Sequence, residues 1–277
     1  MHAPTTADYL RWTFARSWAE REVLLLLTAF YVIVGLILTL PYSPALDSLN
    51  TAMQSGDPNV LAAAFQNLPW HYWLAQLVFL LVNFATNVVW IRAAALGRDQ
   101  ALDGGASAFM ARLIGVVGRF VAYVGLVIAM AIILFVPAFL LGLLLSILGG
   151  IVGLSSEQTT TFVMAVMAAA ALVGLCALAL AFTVAVVARC LDGQQGVLAS
   201  LRGLRGGWLA FTAAIAVLLF GGALLTSVLG QALAGGNPAS AVFHGVTSAA
   251  WFMAGALIYG ATAFYLANRS GMAPADE

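Results

Sequence analysis

Arg189 to Trp208 reads RCLDGQQGVLASLRGLRGGW, a basic stretch between two apolar runs, each long enough to cross a bilayer. An echo lies between Arg92 and Phe120. Phe109, Leu113, Val116 and Phe120 follow an i, i+4, i+7, i+11 spacing that Val197, Leu201, Leu204 and Trp208 repeat, and Asp103-Gly104 and Asp192-Gly193 stand before the two runs. Each copy is expected to be a basic amphipathic linker that lies along the cytoplasmic side of a membrane and feeds the next spanning helix.

Composition agrees. Of the residues, 63% are hydrophobic and 8% charged, and the mean hydropathy is +1.00, a balance outside the range of ordinary soluble domains. The expected class is therefore all-α, a polytopic integral membrane protein. Apolar runs place six transmembrane helices at about 23–40, 70–91, 120–149, 161–188, 208–229 and 241–267, within one domain covering 1–277. Amphipathic segments at 8–21, 106–119 and 195–207 precede the three helix pairs, and 271–277 is expected to be a disordered tail.

In the first segment Leu10, Phe14 and Trp18 recur at four-residue spacing, with Asp8 as the expected cap. The first apolar run is too long for a cleavable signal, so it should remain in the mature protein. Between the first two spans, Ser43 to Pro69 reads as an external cap with one short helix over Asn59 to Asn67. Pro137 supplies a cause for a kink in the third span. Ala177, Ala181 and Ala185 form a small-residue ridge suited to close helix packing.

All eleven basic residues are arginine. The lack of lysine excludes a lysine Schiff base and a Walker-type phosphate loop. Every arginine falls in the N-terminal segment, the two linkers or the tail, whereas the loops on the other side carry only Asp47, Asp57 and Glu157. By the positive-inside rule both termini are cytoplasmic.

Three sets of side chains are candidates for function. Arg92, Arg98, Arg112, Arg119, Arg189, Arg202 and Arg205, with Trp208, would form a surface for anionic lipid or a partner, because guanidinium forks suit phosphate oxygens. Gln76, Asn83 and Asn87 share one face of the second span, opposite Leu74, Val78, Leu81 and Val88, and would serve either as glue between helices or as a polar path. His71 and His244 could meet near the external face with Glu157, Asp47 or Asp57. Arginines that only fix topology remain an alternative to the first set. No metal site, catalytic residue or cofactor is expected, and interleaved acids argue against nucleic acid.

The helix ending at Arg189, followed by Val197-Leu198, Leu204, Gly207 and Trp208, resembles the six-helix membrane domain fused to some bacterial glycerophosphodiester phosphodiesterases and found in related stand-alone membrane proteins. Leu201 stands where that family usually has serine. The resemblance implies a membrane module without the phosphodiesterase part, so no catalytic residue is carried over. The expected function is non-enzymatic: binding of membrane lipid, or of a membrane-protein partner or second copy, in envelope or lipid homeostasis. An uncoupled small-solute or lipid permease is the first alternative, and a periplasmic-face membrane enzyme the second.

Overall fold

The computed structural model describes residues 4–152, 156–202, 208–234 and 241–270. Every regular element among them is helical: α1 (Thr6–Ala19), α2 (Arg21–Thr39), α3 (Ser43–Ser55), α4 (Pro58–Gln66), α5 (Trp70–Leu96), α6 (Gly105–Val152), α7 (Ser156–Cys190), α8 (Val197–Arg202), α9 (Trp208–Ala234) and α10 (Ala241–Ser270). Among the described residues six stretches are long and apolar enough to cross a membrane: Arg21–Met53, Trp70–Leu96, Gly105–Leu134, Met164–Cys190, Trp208–Leu229 and His244–Asn268.

The chain divides into two compact units, one of residues 1–114 and 206–277, the other of residues 115–205. In the first unit α10 is the hub, touching α1, α2, α5 and α9. Leu24 and Leu27 of α2, Trp90 and Ala94 of α5, and Phe252 and Ala256 of α10 form its core, with Tyr31 and Tyr259 at the margin. Small residues let the backbones meet: a Cβ on Gly222 of α9 would lie 2.6 Å from the Cβ of Ala254.

In the second unit Ala181 and Ala185 of the expected ridge are fully buried, in a cluster with Val197, Tyr123, Leu126, Phe182 and Leu201. Tyr123 stacks on Phe182 at 4.8 Å between centroids. Packing is thus close where the ridge predicted it.

Three elements differ from the sequence reading. Residues 106–119 do not form a separate helix; they are the start of α6, a continuous helix of 48 residues. No proline or capping side chain interrupts 106–119, so the helix propagates into the apolar run, and it continues through Pro137. Among the described residues of 195–207 the helix is the six-residue α8, while Leu204, Arg205 and the tail 271–277 lie outside the described residues. The 43–69 segment contains two helices instead of one. Gly56 ends α3 in the left-handed region at φ 67°, and the Asp57 carboxylate accepts from the Asn59 N–H at 2.8 Å to start α4.

Candidate functional site

The C-terminal turn of a helix leaves carbonyls without intrahelical donors, and arginine is well suited to satisfy them. α5 ends this way. Arg92, 3% exposed, donates from Nε to the Ala101 carbonyl at 3.2 Å and from its terminal amine to the Gln100 carbonyl at 3.1 Å. Arg112, 7% exposed, reaches back from α6 to the Asp103 carbonyl at 2.8 Å. Gly104 and Gly105 both have positive φ, so the turn between α5 and α6 depends on their freedom. From α1, Arg16 adds a bond to the Ala94 carbonyl at 2.7 Å.

These arginines therefore close a turn instead of forming an open cationic face. The remainder divide. Arg98 pairs with Glu22 at 3.2 Å on an exposed surface. Within the second unit Arg119 donates to the Gln195 carbonyl and the Gly115 carbonyl, each at 3.0 Å, and the Arg189 side chain lies across Gly115, where only hydrogen fits. Asp192 takes a left-handed φ of 64° and Gly193 N–H bonds the Ala188 carbonyl, ending α7. Arg202 and Trp208 are exposed; Arg205 is among the residues not described.

An element that the sequence reading underrated is α1. Its N-cap is Thr5, not Asp8: the Thr5 hydroxyl and the Asp8 carboxylate close a capping box, and the Thr5 N–H and hydroxyl hold the Asp8 carboxyl below its ordinary value. The face that α1 turns to the protein is Tyr9, Thr13 and Ser17, all buried, and it packs on α9 and α10. Tyr9 meets Phe264 edge-on at 5.2 Å and Phe211 at 5.9 Å; Trp12 stacks on Phe264, and Phe211 stacks on Tyr265. Thr13 sits so close to Gly260 that a Cβ there would be 3.2 Å from its methyl.

Of the predicted apolar stripe Leu10 is half-buried and the other two residues are open. Phe14 is 54% exposed and Trp18 72%. Arg11 lies exposed beside them, and exposed Arg21 holds its guanidinium 5.3 Å from the Trp18 ring centroid while donating to the Trp18 carbonyl. Two faces of one helix are thus used, one by the protein and one open.

Burial, and next the Tyr265 hydroxyl, push the Tyr9 phenol up from 10.0 to about 12. A phenol whose pKa rises on folding stabilises the docked form below about pH 10, and that contribution disappears as pH climbs toward 12. Limited proteolysis in the α1–α2 joint should accelerate between pH 10 and 12 and lose that dependence in Tyr9→Phe; an unchanged profile in the variant would refute the assignment.

On α5, Asn87 is 5% exposed and turns its amide nitrogen back to Asn83, bonding the backbone carbonyl at 2.8 Å and the side-chain oxygen at 2.9 Å. Asn83 and Gln76 are half-buried. The bonds found for Asn87 lie inside the helix. Leu74, Val78 and Leu81 are exposed as expected, but Val88 is buried, because the lower half of α5 is enclosed by α2 and α10 and buries several sides at once. The tie between helices comes from Trp90, whose Nε1 donates to the Ala256 carbonyl at 2.8 Å.

Among the described residues no three His, Cys, Asp or Glu side chains group as metal ligands. His71 is exposed against the Tyr42 and Trp70 rings. No family model, curated protein or solved structure matches this chain.

Proposed function

We propose that this chain is a non-enzymatic six-span protein of a bacterial inner membrane, with both termini cytoplasmic, that holds anionic phospholipid at its cytoplasmic face in envelope or lipid homeostasis. The observation that carries this reading is the open face of α1. Phe14 and Trp18 offer apolar and amphipathic surface at the end of a span, and Arg11 and Arg21 flank them with positive charge. That combination suits the headgroup boundary of an anionic leaflet. Because α1 is clamped to α9 and α10 through its other face, it would offer a fixed, pre-ordered contact.

This reading narrows the arginine surface drawn from sequence. Arg92 and Arg112 are committed to carbonyls and Arg119 shares that use, so the lipid contact is assigned to Arg11 and Arg21. Basic residues near an anionic surface contribute about 1 kcal/mol each, so Arg11→Gln with Arg21→Gln should weaken retention by roughly thirtyfold. Native mass spectrometry from nanodiscs containing phosphatidylglycerol reads this directly. Retention equal to the parent protein would overturn the proposal. Labelling of cysteines placed at positions 83 and 87 by aqueous thiol reagents would instead favour a permease path along α5.

A further inference from the structure

A second membrane contact lies at the opposite end of α2 from α1. We infer that the α3–α4 hairpin rests on the outer leaflet, with the two exposed apolar edges of α4, Val60 and Phe65 on either side of its contact with α3, set among lipid headgroups and upper acyl chains. The proposal rests on the six-span reading and goes beyond the cytoplasmic contact.

Its starting point is what α4 lacks. The helix has no buried residue, and between Pro58 and Trp70 the chain carries no charged side chain. Helical spacing puts Val60, Leu61, Ala64 and Phe65 on one arc and Asn59 and Gln66 on the other. Leu61 and Ala64 are half-buried, while Val60 and Phe65, at the edges of the arc, stay exposed. α3 is the helix packed on it, so the apolar arc is wider than the surface that the protein covers.

Position decides what covers the remainder. Only Asn67, Leu68 and Pro69 separate α4 from α5, so the end of α4 lies no more than about 14 Å from Trp70 even with the link fully extended. The link is not extended: Asn67 N–H bonds the Ala63 carbonyl and Leu68 N–H bonds the Phe65 carbonyl, and Leu68 is buried. Trp70 and Trp73 open α5 as exposed aromatics, with Tyr42 and Tyr72 in edge contact beside them at 5.4 Å. Aromatics of this kind mark the membrane boundary. An uncharged amphipathic helix pinned within that reach meets the same boundary.

Asp47 and Asp57 are the charges of the hairpin and no arginine accompanies them, so the contact is apolar and does not select anionic lipid. This distinguishes it from the face of α1.

The test is collisional depth measurement by electron paramagnetic resonance on the full chain in vesicles of phosphatidylcholine and phosphatidylglycerol. Nitroxides are attached to Val60→Cys, Phe65→Cys, Asn59→Cys and Leu81→Cys, each in a Cys176→Ala, Cys190→Ala background. Labels at 60 and 65 should collide with oxygen over aqueous nickel chelate several-fold more than the label at 59, and less than the mid-span label at 81. Nickel-dominated collisions at 60 and 65 with a deep reading at 81 would leave the six-span reading standing and overturn this one. Exclusion of both reagents at 60 and 65 would overturn it in favour of a protein cover. An aqueous reading at 81 would overturn both.

Discussion

Trp90→Ala should cost more stability than any other single truncation at the core of the first unit. The indole is fully buried where α2, α5 and α10 meet, among Leu24, Leu27, Phe252 and Ala256. Aromatic-to-alanine changes in closed cores cost about 3–5 kcal/mol. Between helices in a bilayer the transfer part shrinks, because lipid chains are as apolar as leucine, and the lost packing and cavity remain; a value of about 3 kcal/mol is expected. The Nε1 bond to the Ala256 carbonyl is a smaller share, so Trp90→Phe, which keeps most of the ring, should cost about 1 kcal/mol. Titration from mild detergent into dodecyl sulfate, followed by helical circular dichroism, measures both. Trp18→Ala is the control, since that ring is exposed and its loss leaves no cavity. A Trp90→Ala protein as resistant as the Trp18→Ala protein would show that α10 is not held through this residue.

Much of this core was visible in the sequence only as hydropathy. The six long apolar helices follow from local composition, which needs no knowledge of neighbours, and of the alanine ridge of α7 Ala181 and Ala185 are buried while Ala177 is half-buried. The use of the polar residues was not visible. Thr13 and Ser17 form the buried face of α1 because close approach to Gly260 requires small side chains, and a pattern of apolar residues points to the neighbouring face. The threonine and serine at four-residue spacing were the available signal. Likewise, charge bias places arginines on one side of a membrane and is silent about whether each guanidinium faces lipid or a carbonyl. The start of α6 shows a third limit: amphipathic spacing was read as a separate helix where no residue stops the turn from propagating.

Arg92 tests that second limit most directly. Arg92→Met keeps length and volume but removes the donors to Gln100 and Ala101, leaving two carbonyls in a closed turn without their charged partner. Bonds from charged donors contribute about 1.5–3 kcal/mol, and an orphaned buried acceptor costs about 1–3, so a loss of about 2–4 kcal/mol is expected. Arg98→Met should cost no more than about 1 kcal/mol, because its pairing with Glu22 is solvent-exposed. Arg92→Lys separates the two meanings of the charge. If Arg92 acts as a positive charge toward lipid or as a topology signal, lysine restores the parent behaviour. If it acts as a planar fork across adjacent carbonyls, an ammonium cannot reproduce both bonds, and lysine recovers only part of the lost stability. The geometry requires the second outcome, with phosphatidylglycerol retention held at the parent level once each variant is refolded in the same nanodisc. Full recovery by lysine would overturn the fork role of Arg92 and return it to the lipid-facing set beside α1.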